Sequence, residues 1–244
     1  MKLAFIHRGS QTAKMIMRET GIPSWGRGVR AEKIINYGVA GERFEDWKRR
    51  NPMGRRLPMF NKPLGLNKFE VVKKVEEEGI CVPRSRREIK LRHAPEGWLV
   101  KPFWSQGGRG IEIAEGRDAP YGKYFQEFIH DRIYELRIHA FNWIALEEWV
   151  VQKKVPGEDC DAITWNYHTG GTFITVNDRS GKVFQDALEM SDKVLEVLEL
   201  DFGGVDFVVN GNREVYFIEI NTAVGCHGLS DPVYVDAFER LKGL

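Results

Sequence analysis

Apolar and polar positions alternate in distinct registers along the chain. Lys2 to His7 reads as a first strand, and residues 11–19 as a helix. A Gly- and Trp-containing loop leads to a second strand, Lys33 to Tyr37, and a charged helix over Glu42 to Arg50. Residues 51–65, rich in Pro, Gly and Asn, read as a linker or loop. Asn67 then opens a helix, with Glu70 three residues on in a capping-box arrangement. Phe69, Val72 and Val75 mark its apolar face, Gly79 stops it, and ICVP is expected to follow as a strand.

From residue 98 the period shortens to that of strands. WLVKP and GIEI flank a Gly-rich loop. KYFQEFI, residues 123–129, is a further strand, and RIYELRIHAF with IALEEWVVQKKV suggest an antiparallel pair. Residues 156–177 read as irregular. Gln185 to Leu198 shows helical spacing at Ala187, Met190, Val194 and Leu198. The stretch from 203 to 225 predicts two strands joined at Asn210-Gly211-Asn212, and Tyr234 to Leu241 a short closing helix.

That last strand pair carries the densest candidate chemistry. Glu219 and Asn221 are two apart, so strand alternation puts both on one face, with Asp206 on the neighbouring strand. Two carboxylates and an amide carbonyl are hard oxygen donors of the kind Mg²⁺ takes, together with substrate phosphates. The flanking residues are apolar, and bare charge in such a run needs partners. A pair of carboxylates facing water is the competing structural reading.

Composition changes this picture in two places. The 244 residues carry a formal charge of +1, yet residues 1–60 hold 13 Lys/Arg against 5 Asp/Glu. That imbalance, densest at Lys48-Arg49-Arg50 and Arg55-Arg56, suits an anionic partner, with nucleic acid one weakly supported possibility and a solvated surface the plainer reading. Three widely spaced cysteines, Cys81, Cys160 and Cys226, argue against a disulfide framework. No apolar run reaches a membrane span, and a cytoplasmic location is the expectation.

Gly107, Gly108 and Gly110 follow Lys101 by six to nine residues. Glycines let backbone N–H groups approach phosphate oxygens, and an ammonium on the preceding strand can reach the same group. The pattern is neither a P-loop nor a dinucleotide fingerprint, and alone such a hairpin is more often only a flexible turn. No Ser-His-Asp order or nucleophile elbow is present.

Taken in order, these motifs resemble the ATP-grasp superfamily, in particular carboxylate–amine ligases similar to the ribosomal-protein-S6 glutamate ligase. Asn67-Lys68, WLVKP, QGGRGIEI, FQEFI, ELR, NYHTGG, GVD and EIN carry the resemblance from about Asn67 to the carboxyl end. It implies an α/β (α+β) ATP-grasp fold over residues 63–244, with a nucleotide-gripping part at about 85–127 and a metal-binding part at about 128–244, preceded by a short α/β unit over 1–62. It implies ATP as co-substrate and Mg²⁺, expected as two ions with Mn²⁺ as a substitute.

By the same resemblance, Lys68 and Lys101 would neutralise phosphate charge, and Gly107, Gly108 and Gly110 would close over the phosphates. Glu127, Phe128 and Ile129 would meet adenine, and Glu135 the ribose. Asp206, Glu219 and Asn221 would hold the metal, while Arg137, Asn166 and Lys101 would face the reacting groups.

Two departures stand out. Thr164 occupies a place where the family often has Arg, which shifts the role to Arg137, Arg109 or Arg179. Thr222-Ala223-Val224-Gly225 replaces the usual small-Pro-Gly. His7, His139, His168 and His227 are candidate acid–base groups, with His168 the best placed. The implied reaction joins a carboxylate to an amine, either from an amino acid, a peptide or a protein terminus, through an acyl phosphate. A phosphotransferase that stops before amide formation and a non-catalytic nucleotide-binding module are the alternatives.

Overall fold

The apolar segments build three sheets among the described residues, which in this computed structural model are 1–87, 97–105, 108–114, 121–160, 163–165, 169–226 and 230–244. The first sheet is parallel, in the order β1 (Leu3–His7), β2 (Lys33–Tyr37), β3 (Met59–Phe60). The second is antiparallel: β4 (Ser85–Arg86), β7 (Lys123–Glu127), β5 (Trp98–Pro102), β6 (Glu112–Ile113). The third, also antiparallel, runs β10 (Gly171–Thr175), β9 (Val150–Pro156), β8 (Arg132–Phe141), β11 (Phe202–Asn210), β12 (Val215–Asn221).

Helices α1 (Gln11–Thr20), α2 (Gly41–Arg50), α3 (Lys68–Glu77), α4 (Lys182–Val197) and α5 (Asp231–Gly243) cover them. Their ends follow local chemistry. Asn67 and Glu70 form the expected capping box at the start of α3, each side chain meeting the other's backbone N–H. Ser10 caps α1, and Gly21 closes it at φ 70°, a left-handed turn that glycine enters without a Cβ clash.

Alternation in the five-stranded sheet separates two faces. Leu136, Ile138, Val205, Phe207 and Val209 are buried in one core with Val72 and Val75 of α3 and Ala187, Val194 and Leu195 of α4. Full burial of each large side chain stabilises the fold by about 1.5–3 kcal/mol. The opposite face presents Glu135, Arg137 and His139 from β8.

β12 keeps to this division through a bulge. Asp206 pairs with Glu219, but Phe207 pairs with Phe217, so Ile218 is an extra residue. The inserted position reverses the alternation. Val215 and Phe217 enter the core, while Glu219 and Asn221 turn to the other face.

The amino-terminal sheet joins the rest through aromatic packing. Phe5, Tyr37 and Phe60 share a core with Phe141, Phe202, Tyr234 and Phe238. The Tyr37 hydroxyl donates to the Val224 carbonyl at 2.7 Å. Gly38 (φ 75°) lies so close to Ala223 that a Cβ there would sit 2.3 Å from the alanine Cβ. The segment after β12 is thus fixed against the end of β2.

Three local expectations are corrected. ICVP is not a strand: Ile80 N–H is spent on the Val75 carbonyl at the end of α3, Pro83 has no N–H, and one bond from Phe217 to the Cys81 carbonyl remains. The strand follows at Ser85. The stretch read as irregular contains β10, an edge strand whose Thr-rich sequence shows no apolar run. The strand after the Gly-rich loop is only two residues long. Among the described residues no helix is long and apolar enough to cross a membrane.

Candidate functional site

Antiparallel register brings side chains from four strands into one row. Gln152 of β9 stands opposite Arg137 of β8, Arg137 opposite Asp206 of β11, and Asp206 opposite Glu219 of β12. Directly opposed residues share a face, so these groups line up across the sheet. Flanking rows add Lys154 opposite Glu135, and Gly204 opposite both His139 and Asn221.

The row is densely paired. Arg137 donates to Asp206 in a bidentate pair, at 2.8 Å from Nε to Oδ1 and 2.7 Å from Nη2 to Oδ2. Lys154 Nζ lies 3.1 Å from Asp206 Oδ1 and 3.4 Å from Glu135 Oε2. Asn221 Nδ2 donates at 3.2 Å to both Asp206 and Glu219. Lys68, at the first turn of α3, reaches Glu219 Oε2 at 2.5 Å. Burial alone would raise the Asp206 carboxyl, but Arg137 and Lys154 overcome it and hold it well below the usual range. Glu219 is likewise lowered, burial being outweighed by Lys68 with help from Lys101.

The four-stranded sheet supplies the facing wall. Lys101 on β5 is 4% exposed, and its Nζ donates to the neutral Gln126 Oε1 at 2.7 Å. Gln126 in turn donates to the Ser85 hydroxyl at 3.1 Å. Burial pushes Lys101 down to about 8, against the pull of Glu219. The ammonium remains mostly charged at neutral pH with an uncharged amide as its hydrogen-bond partner.

Between the walls lies a cleft of about 730 Å³, open to solvent. Its lining combines apolar side chains, Leu99, Phe128, Ile129, Ile163 and Trp165, with the charged Lys68, Lys101, Lys154, Asp206 and Glu219. Across the lining and its direct partners, six cations (Lys68, Arg84, Lys101, Arg132, Arg137, Lys154) meet four carboxylates (Glu127, Glu135, Asp206, Glu219), which leaves +2.

The residues singled out in the sequence thus mostly converge. Lys68, Lys101, Gly108, Glu127, Phe128, Ile129, Glu135, Asp206 and Glu219 line the cleft, with Arg137 and Asn221 bonded directly behind. Gly110 instead sits over Pro102. The Glu127 carboxylate is engaged by Arg84, whose hydrogen bonds lower it. Glu135 is tied to Arg132 at 3.0 Å and to Lys154. Gly107, Asn166, His168 and His227 lie outside the described residues.

Four contributors escape the sequence reading: Gln126, Arg132, Lys154 and Trp165. Arg132 donates to the Ile163 carbonyl at 2.9 Å and lies over the Trp165 ring at 3.8 Å. It brings a guanidinium beside Thr164, where the resemblance leaves a gap. Arg179 is bonded to the Trp149 carbonyl instead. His139 is buried between Tyr234 OH at 3.0 Å and Gln152 Oε1 at 2.8 Å. Burial pushes it down to about 4, which makes it a neutral structural group at physiological pH.

Comparison with known proteins places this arrangement. A family model described as ATP-grasp domain matches residues 66–225. No curated protein matches the sequence. Among solved structures, the ATP-grasp ligase PsnB complexed with a minimal precursor is similar, with TM-score 0.65 at 12% identity over 97% of this chain and 98% of that one. The macrocyclase MdnC bound with precursor peptide MdnA, from Microcystis aeruginosa MRC, matches at TM-score 0.61 and 11% identity over 100% of both chains. The D-alanine–D-alanine ligase from Bacillus anthracis complexed with ATP matches at TM-score 0.62 and 13% identity, over 97% and 93%. The cleft lies within the matched span, and the chain belongs to the ATP-grasp family.

Proposed function

We propose that the protein is an ATP-dependent ligase that joins a carboxylate to an amine through an acyl phosphate. The observation that carries this reading is Lys101: a buried ammonium whose hydrogen-bond partner is a neutral amide, in a cleft it shares with Lys68, the Asp206 and Glu219 carboxylates and apolar side chains. A nucleoside triphosphate suits such a lining, with its base on the apolar side chains and its phosphates on the two lysines.

The Asp206–Glu219 pair fits Mg²⁺. The two carboxylates face each other across adjacent strands, and a divalent cation there would displace the contacts they now make with Asn221, Lys68 and Lys154. Bound there, Mg²⁺ would neutralise the developing charge on the transferred phosphoryl group.

The carboxylate oxygen attacks the γ-phosphorus, the bond to the bridging oxygen breaks, and ADP leaves. The amine then attacks the acyl carbon, the acyl–oxygen bond breaks, phosphate leaves, and the amine loses a proton. Without phosphorylation the leaving group would be oxide. The chain's part is positioning and charge neutralisation rather than nucleophilic attack. Lys68 and Lys101 hold the phosphates. Arg137 keeps Asp206 ionised and oriented. Arg132 offers a cation beside Thr164. Gly108, in the lining of the same cleft, would help to keep water from the acyl phosphate.

A peptide or protein carboxylate is the favoured substrate, because PsnB and MdnC, which share this fold over nearly their whole length, are bound to precursor peptides. In this reading residues 1–62 form the leading unit and residues 63–244 the ATP-grasp part. Phosphate release measured with Mg·ATP across a panel of amino acids and peptides tests it. Release should require both a carboxylate and an amine. Phosphate transferred to the acceptor without amine dependence would contradict amide formation.

A further inference from the structure

We infer that the amino-terminal unit carries a second anion site, distinct from the ATP-grasp cleft, that docks an acidic peptide segment. A cavity of about 420 Å³ opens at the carboxyl ends of β1 and β2. Its wall includes His7 and Arg8 from the end of β1, Val39 from just beyond β2, and Arg43, Trp47 and Arg50 from α2. In parallel sheets this is the end where ligands collect, because loops diverge there and strand ends leave room. The volume falls within the range of ligand pockets.

Among the described residues, three unpaired guanidiniums mark this cavity. Residues 1–60 carry eight more basic than acidic side chains. The unit's acids are largely consumed: Glu19 pairs with Arg18, Glu45 with Lys48, Asp46 with Arg49, and Glu32 accepts from the Lys2 backbone. Among the described residues, Arg8, Arg43 and Arg50 make no ion pair, and all three line the one cavity as exposed side chains. Its single carboxylate, Asp46, is already engaged by Arg49.

Three guanidiniums gathered in a concavity suit carboxylates, which each fork can bind through two parallel hydrogen bonds. A nucleic-acid backbone would instead favour an extended basic track along regularly spaced phosphates. Trp25 and Trp47 supply apolar walls for the methylene stems of acidic residues. Trp25 is fixed there by its indole N–H on Asn51 Oδ1 at 2.9 Å and by Gly54, which packs against the ring. Gly38 packs on Ala223, two residues past Asn221, so the same strand ends adjoin the segment that leaves the metal-ligand pair.

Fluorescence anisotropy of labelled hexaglutamate with the whole protein, without nucleotide, tests the site. Binding should weaken at least tenfold in the Arg43→Glu/Arg50→Glu double variant and fall steeply with salt. That variant should retain the wild-type melting temperature and the wild-type affinity for Mg·ADP. Absence of hexaglutamate binding, or binding indifferent to the double substitution, overturns the proposal. So does tighter binding of a labelled single-stranded hexanucleotide that is lost in the same variant, which would make the site one for nucleic acid. Because no ATP is turned over, the outcome is independent of whether the ligase reading holds.

Discussion

Arg137 and Asp206 face each other across β8 and β11 and share two parallel hydrogen bonds at the floor of the cleft. The pair is almost wholly removed from water, with side-chain exposures of 14% and 5%. Its carboxylate stays ionised because Arg137 outweighs the cost of burial, with Lys154 joining from β9.

Asp206→Asn leaves Arg137 buried without its carboxylate and Lys154 with Glu135 alone. Breaking a buried pair from one side costs about 3–5 kcal/mol. Urea unfolding of the protein without nucleotide should register that loss. The folded-state carboxyl is depressed, so its stabilisation is present above the ordinary value of 3.8 and fades as pH falls below it. The variant should lose that part of the acid dependence.

Lys101 carries the second prediction. Its value near 8 in the free protein should rise when a triphosphate binds. The complex then takes up a proton around pH 8, and nucleotide affinity falls as pH climbs above it. Calorimetry in buffers of different ionisation enthalpy measures the proton. Lys101→Met should abolish the uptake and remove a charged hydrogen bond of about 1.5–3 kcal/mol, roughly ten- to hundredfold in Kd.

His139 should make stability sensitive to mild acid. Its folded-state value lies near 4 against 6.5 when unexposed burial is relieved on unfolding. Between those values the unfolded chain binds the extra proton, so stability falls as pH drops through 6.5 and levels off below 4. His139→Gln should flatten that slope in urea melts from pH 7 to pH 4.5, whatever its effect at pH 7.

Ile218 decides which way the end of β12 faces. Deleting it would restore plain alternation and drive either Glu219 into the apolar core or Phe217 out of it. Circular dichroism should show a chain that does not reach the native state, whereas Ile218→Val should fold normally. A deletion variant that folds and melts like wild type would contradict the role assigned to the bulge.

That bulge also marks what the sequence could and could not disclose. Glu219 and Asn221 were legible as face-sharing because a spacing of two holds locally. Val215 and Phe217 share their parity yet point the other way, and nothing in the run VYFIEIN announces the extra residue. The capping box at Asn67 was legible because all its parts lie within one turn. Lys154 and Arg132 were not, since each acquires its role from distant partners, Asp206 brought in by strand register from more than fifty residues away and Trp165 from a loop. Gln126 was hidden inside the motif FQEFI, where it reads as an ordinary polar strand residue until Lys101 is seen to donate to it.

The most direct measurement is a crystal structure with Mg²⁺ and a non-hydrolysable ATP analogue. The phosphates should lie within hydrogen-bonding distance of Lys68 and Lys101, with the metal on Asp206 and Glu219 and the base beside Phe128. A nucleotide bound outside this cleft, or a metal that touches neither carboxylate, would contradict the account.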